Sequence, residues 1–142
     1  MPDLRGFEME GEVNEHETGF LTFLAEPIRG RASTLLGLGP KRRKDVRALL
    51  DHKIQLDPRF ARAVSGSEHN AAGVTRRLRS LGAPEACWIL SARSDLDGRK
   101  VPLDEGIAAV FDSMSGGFAS CVPGKLGFFQ YEAPSRGYLL VR

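Results

Sequence analysis

The chain has 142 residues, with a hydrophobic content of 42% and a charged content of 27%, which is typical of a globular protein that builds its own core. No apolar run approaches the ~18 residues that a membrane span requires, and the amino-terminal residues lack the apolar centre of a signal peptide. We therefore expect a cytoplasmic protein with no membrane partner.

The net charge of +2 hides a strong separation of charge along the chain. Residues 1–28 contain seven acids and one base, a net charge of −6. Residues 29–47 contain seven bases and one acid, a net charge of +6. Such a basic stretch is expected to face an anion, which either the acidic stretch or a separate partner could supply.

The amino-terminal part predicts an acidic segment at 1–30, with strand character, ahead of a helix–strand core at 31–142 in the same single domain. Its strand character comes from the alternation of apolar residues with glutamates, at Phe7, Met9 and Val13. The apolar residues of 20–24 fit either a strand or one face of a short helix. Pro27 and Gly30 are expected to end that element.

Three helices are predicted after this segment, at roughly 40–53, 68–81 and 102–115. Pro40 suits the first position of the first helix, and Ser67 is the expected N-cap of the second. Apolar residues recur at helical spacing in each. In the first helix they are Val46, Leu49 and Leu50; in the second, Ala71, Val74, Leu78 and Leu81; in the third, Leu103, Ile107, Val110, Phe111 and Met114.

Four short apolar runs predict strands, separated by Gly-, Pro- or Ser-containing turns. They are Cys87–Leu90, Phe118–Val122, Leu126–Tyr131 and Tyr138–Val141. A strand–helix–strand unit over 86–122 predicts two parallel strands, and the short turns that follow predict antiparallel hairpins. The expected fold class is α+β: one compact domain with a mixed β-sheet, about three helices and antiparallel C-terminal strands.

The strongest candidate site lies where the basic stretch meets the start of the first predicted helix. Four cations there would crowd the positive end of the helix dipole, at a cost of roughly 0.3–1 kcal/mol each. Backbone amides of a Gly-x-Gly turn could point at a bound anion in the same place. The predicted anion-binding residues are Gly37, Gly39, Lys41, Arg42, Arg43 and Lys44. A phosphate, a carboxylate from the acidic stretch or a partner, and plain solvation are the three interpretations.

Other motifs receive structural interpretations. Asp95–Gly98 predicts a surface turn, and Pro123–Lys125 predicts a hairpin turn despite a partial likeness to a P-loop. Arginines near the end of the second helix complement its dipole. Cys87 and Cys121 are expected to be buried, reduced thiols, although neighbouring strands would also permit a disulfide. The spacing of histidines and cysteines predicts no metal site and no cofactor.

The sequence thus predicts a small non-enzymatic module that binds nucleic acid or an acidic protein surface through the basic helix start. One alternative is a small enzyme acting on a phosphorylated or anionic metabolite, with Asp51, His52 or Asp97 for chemistry. Another is an assembly or regulatory protein whose final strand pairs with a second chain to form an oligomer. No residue is predicted to be catalytic.

Overall fold

The centre of the fold is a six-stranded antiparallel sheet. A computed structural model describes residues 15–37, 45, 48, 50, 54–132 and 136–142. The strands are β1 (Ala61–Val64), β2 (Ala86–Ser91), β3 (Arg99–Pro102), β4 (Gly117–Val122), β5 (Leu126–Gln130) and β6 (Gly137–Val141). Their order across the sheet is β1-β6-β5-β4-β2-β3, and every pair of neighbours is antiparallel.

Helices cover both faces of this sheet. They are α1 (Glu15–Leu21), α2 (Glu26–Gly37), α3 (Ala71–Ser80) and α4 (Leu103–Asp112), with a short 3₁₀ turn at Gly66–Glu68. Successive side chains of a strand point to opposite faces. Cys87 and Ile89 therefore join the core under α3 and α4, whereas Trp88 and Leu90 join the core under α1 and α2. None of the helices that the structure describes is long and apolar enough to cross a bilayer.

The structure confirms the α+β class and the C-terminal antiparallel strands. It also confirms two of the predicted helices, since α3 and α4 lie close to the predicted ranges 68–81 and 102–115. The predicted parallel pairing within 86–122 is wrong, and the sheet is antiparallel rather than mixed, because β2 pairs antiparallel with β4. Two strands were missed, β1 and β3. The Arg-Lys-Val-Pro sequence of β3 is mostly exposed and carries little apolar signal. The helix α4 follows β3 rather than β2. It links β3 to β4, which run parallel to each other on opposite sides of β2.

Two helix ends differ from the prediction. Asn70, not Ser67, is the N-cap of α3, because its side-chain oxygen accepts the backbone N–H of Gly73 at 2.7 Å. The helix α4 ends at Asp112, and Met114 has a φ of 58° and a side chain that is 67% exposed. Met114 therefore does not belong to the buried face of α4, contrary to the prediction.

The described part of the acidic amino-terminal segment is helical. The strand alternative for residues 20–24 is wrong, because α1 includes Phe20 and Leu21. Pro27 and Gly30 do not end an element but lie inside α2, where Pro27 occupies the first turn that tolerates a missing N–H. A boundary at residue 30 would thus fall within a helix. Phe7, Met9 and Val13 lie outside the described residues.

The final strand is an interior strand. β6 is hydrogen-bonded to β1 on one side and to β5 on the other. The predicted open edge at the C-terminal strand is therefore wrong, because β1, from the middle of the chain, occupies that edge. The two edges of this sheet are β1 and β3.

Candidate anion-binding site

In the sequence, the predicted anion-binding residues run from the end of α2 to the residue before Asp45. Gly37 is the last residue of α2. Asp45, Ala48 and Leu50 are helical again, with Ala48 exposed and the Leu50 side chain 1% exposed in the core under α1 and α2. The remaining predicted residues lie outside the described part of the chain: Gly39, Lys41, Arg42, Arg43 and Lys44. Leu50, six positions after Lys44, is thus packed in the core.

Arg29, the first base of the basic stretch, contributes to the fold itself. Its Nε and Nη2 atoms donate to the carbonyl oxygen of Leu24, at 3.4 and 3.2 Å. Leu24 in turn forms an isolated antiparallel bridge with Leu56. The guanidinium of Arg29 therefore fastens the start of α2 to the segment between α1 and α2, whereas Arg31 is exposed.

One acid of the amino-terminal stretch is committed to the core. Glu17 is 5% exposed, and its Oε2 atom accepts the indole N–H of Trp88 at 3.2 Å. This bond between Glu17 and Trp88 helps to seat α1 on β2.

The neighbouring residue of α1, His16, also contacts the sheet. Its Nδ1 atom lies 2.7 Å from Ser120 Oγ, and its ring stacks on Trp88 with an angle of 8° between the planes. Burial lowers the pKa of His16, so the neutral ring that can accept a hydroxyl proton is favoured. The hydroxyl of Ser120 is nevertheless only 1% exposed beneath α1. A substrate has no access to it, and the pair acts as a structural link.

The association of His16 with Ser120 was not predicted from the sequence. His16 and Ser120 are 104 positions apart, and no local spacing relates a helical histidine to a serine in a strand. The one available signal was the apolar run Cys87–Leu90, which contains Trp88. The Trp88 residue is buried, with 8% of its surface exposed.

The arginines of α3 have carboxylate partners close by. Arg79 makes two parallel hydrogen bonds to Glu85, at 3.1 and 3.0 Å, and Arg77 lies 3.6 Å from Glu68. Both arginines lie in the last turn of the helix, where cations also complement the dipole. Their structural interpretation is therefore supported, and they are not needed for a ligand.

The motifs Asp95–Gly98 and Pro123–Lys125 are turns, as predicted. Asp97 accepts the backbone N–H of Ser91 at 3.0 Å and so closes the connection between β2 and β3, where Gly98 has a φ of +76°. Gly124, with a φ of +68°, lies in the tight turn between β4 and β5. These conformations favour glycine because a Cβ would crowd the backbone. Asp97 thus has a structural role in this turn, which makes a catalytic role less well supported.

Both cysteines are buried and neither forms a disulfide. Burial raises the pKa of Cys87 and of Cys121 to about 12. The expectation of buried, reduced thiols is confirmed. Within the ranges that the structure describes, no group of three or more His, Cys, Asp or Glu side chains could hold a metal ion.

No protein-family model, curated protein or solved structure matches this chain.

Proposed function

We propose that this protein is a non-enzymatic module that binds an anionic partner through Gly37, Gly39, Lys41, Arg42, Arg43 and Lys44, which we call the basic junction. The observation that carries the proposal is the position of four consecutive cations immediately before helical residues. Leu50, six positions after Lys44, is buried in the core and connects the chain beyond the basic junction to the rest of the fold.

The physical reason is electrostatic. Cations near the amino end of a helix oppose its dipole, and a bound anion removes that repulsion while it also meets free backbone amides. Arg42 and Arg43 supply planar guanidinium groups that can each form two parallel bonds to a phosphate. Gly39 would allow a close approach of the backbone to the anion. Gly37, as the last residue of α2, lies at the carboxyl end of that helix instead.

The partner that we favour is the phosphodiester backbone of a nucleic acid, in particular a duplex. Single-strand binding generally uses a series of aromatic platforms. Phe60 is the one aromatic residue between Phe23 and Trp88, so this chain offers no such series near its basic residues. A duplex backbone needs cations alone for affinity.

The test compares two double variants with the same change of charge. Arg42→Gln/Arg43→Gln alters the basic junction, and Arg77→Gln/Arg79→Gln removes two arginines that already pair with Glu68 and Glu85. Fluorescence anisotropy would measure binding to duplex DNA, structured RNA, polyphosphate and polyglutamate over about 50–200 mM salt, where phosphate contacts produce a steep dependence.

We expect the basic-junction variant to bind duplex nucleic acid about tenfold or more weakly, with a shallower salt dependence, and the α3 variant to lose much less. Equal losses in both variants would indicate a general charge effect and overturn the proposal. Absence of binding in the unchanged protein would do the same. Binding of polyglutamate without binding of DNA or RNA would instead identify an acidic protein surface as the partner.

A metabolite-converting enzyme receives less support from the described residues. Asp97 is held in the turn between β2 and β3 by its bond to Ser91, and Asp51 and His52 lie outside the described residues.

A further inference from the structure

A second polar site lies where α1 meets the turn between β4 and β5. Gly19 packs directly on Gly124, and a Cβ at Gly19 would collide with the backbone nitrogen of Gly124. Because neither residue carries a side chain, helix and turn come into backbone contact. Beside this contact opens a cleft of about 580 Å³. Its side-chain walls are formed by Glu15, Thr18, Thr22, Lys125 and Arg142.

One wall of the cleft carries two cations. The backbone N–H of Arg142 donates to the carbonyl oxygen of Lys125 at 2.9 Å, and the guanidinium of Arg142 lies 5.4 Å from the ring centre of Phe60. Within the described ranges, neither Lys125 nor Arg142 forms an ion pair. Four other arginines of the same ranges each pair with a carboxylate: Arg59, Arg77, Arg79 and Arg93. The positive charge of this wall is therefore available to a ligand.

The opposite wall, on α1, carries hydrogen-bond acceptors. Glu15 contributes a carboxylate. The hydroxyl of Thr22 donates to the carbonyl oxygen of Gly19 at 2.6 Å, which leaves its oxygen lone pairs to accept a further bond. A ligand that spans the cleft would thus meet cations on one side and acceptors on the other.

We propose that this cleft binds a small organic phosphate that carries hydroxyl groups. Its phosphate contacts Lys125 and Arg142, and its hydroxyls donate to Glu15 and Thr22. The volume lies in the range of small-molecule sites, about 300–1,000 Å³. The carboxylate of Glu15 repels a bare polyanion but accepts hydroxyl donors, so it selects a hydroxylated monoester over polyphosphate. This site shares no residue with the basic junction and stands independently of the proposed function.

The experiment measures binding of ribose 5-phosphate and glycerol 3-phosphate by calorimetry and by amide chemical shifts, with ribose and inorganic phosphate as separate arms. We expect both phosphate esters to bind, ribose not to bind, and the amides of Gly19, Gly124 and Lys125 to shift. Lys125→Gln and Arg142→Gln should each weaken binding about tenfold. Glu15→Gln should weaken binding of the esters but not of inorganic phosphate.

The control Arg42→Gln/Arg43→Gln should leave binding of the esters unchanged. Arg142→Lys, which retains the charge above Phe60, covers the case in which Arg142→Gln disturbs folding, and far-UV circular dichroism checks each variant. If no phosphate probe binds, or if Lys125→Gln has no effect, the proposal is overturned. Loss of ester binding in the Arg42→Gln/Arg43→Gln variant would also overturn it, because the ligand would then belong to the basic junction. If Glu15→Gln binds the esters, as well as inorganic phosphate, with the same affinity as the unchanged protein, the assignment of the hydroxyl contacts is overturned.

Discussion

His16 Nδ1 and Ser120 Oγ, 2.7 Å apart, join the first helix to a central strand of the sheet. Burial is the largest influence on His16 and lowers its pKa; nearby Lys100 acts in the same direction, while Glu15 and Glu17 oppose it. The folded protein therefore holds a neutral imidazole against the sheet at neutral pH. Protonation would place a charge beside a buried hydroxyl and an indole ring, which is unfavourable.

This contact predicts a pH dependence of stability. An unfolded histidine takes up a proton near its ordinary pKa of about 6.5, whereas His16 in the fold does so at a lower pH. The contribution of His16 is thus present above about 6.5 and lost as the pH falls from there towards its folded pKa. We expect His16→Gln to show a smaller loss of unfolding free energy than the unchanged protein between about pH 7 and about pH 5. Urea unfolding measures both slopes, and identical slopes would contradict this account.

A second pH effect is expected at Asp57. Its carboxylate accepts the backbone N–H of Arg59 at 3.0 Å and the Nη2 of Arg59 at 2.7 Å, and these bonds lower its pKa from 3.8 to about 2. The stabilising contribution is present above 3.8 and disappears as the pH falls through 3.8 towards about 2. Asp57→Asn should therefore lower stability at neutral pH and weaken the acid dependence in this window. Acid titration followed by circular dichroism measures both. Arg59→Lys, which retains the charge but loses the planar guanidinium, should give an intermediate result. If Asp57→Asn shows the same loss of stability at acid pH as the unchanged protein, Asp57 is not its cause.

The packing of α4 on the sheet depends on the absence of a side chain at Gly106. A Cβ there would collide with Cys87 Sγ and lie 2.9 Å from Val101 Cγ2. We expect Gly106→Ala to lower the free energy of unfolding by about 1–2 kcal/mol, because overpacking costs about 1–3 kcal/mol and exceeds the ~0.5–1 kcal/mol that alanine gains in a helix. Thermal and urea unfolding measure the change.

Gly30 provides the matched control for this substitution. It also lies inside a helix, but a Cβ there would meet nothing within 4 Å. Gly30→Ala should raise stability by about 0.5–1 kcal/mol. The double variant Gly106→Ala/Cys87→Ala should recover part of the loss, since the smaller side chain at 87 vacates the contested space. A neutral or stabilising effect of Gly106→Ala alone would show that α4 moves away at little cost.

The buried thiols predict low chemical reactivity in the native state. The reactive species is the thiolate, and burial raises the pKa of both Cys87 and Cys121 to about 12. We expect an aromatic disulfide reagent to modify the native protein roughly 100-fold or more slowly than the denatured chain. Absorbance of the released thiol follows the reaction. Rapid labelling of the native protein, with its circular dichroism unchanged, would be inconsistent with this burial.

Helices and strands with a strong apolar pattern were predictable from local sequence. The run at 87–90, the last three strands and the helices near 71–80 and 103–112 follow the expected periods and lie close to the predicted ranges. In each of these elements one side is buried, so apolar residues recur with the period of the helix or strand. A short window of sequence therefore carries the information. Where that signal was weak, as in β3 with its exposed residues, the element was missed and the pairing of its neighbours was predicted wrongly.

Of the candidate sites, too, only the one formed by consecutive residues was predictable from the sequence. The basic junction was visible in the sequence because its four cations are consecutive, and its role stays a prediction. The cleft beside Lys125 could not be predicted, since its walls come from α1, the β4–β5 turn and the residue after β6. The link between His16 and Ser120 spans 104 positions and depends on α1 docking over β4.

The sequence by itself determined which strongly apolar segments become helices and strands, which sides of them are apolar, and where charge accumulates, because these properties belong to neighbouring residues. Only the tertiary structure decided that β1 covers the edge of β6, that β2 separates β3 from β4, and that α1 brings Glu15 opposite Lys125 and Arg142. Those outcomes follow from burying two apolar faces of one sheet at once. That requirement acts between residues far apart in the chain, so local patterns do not reveal it.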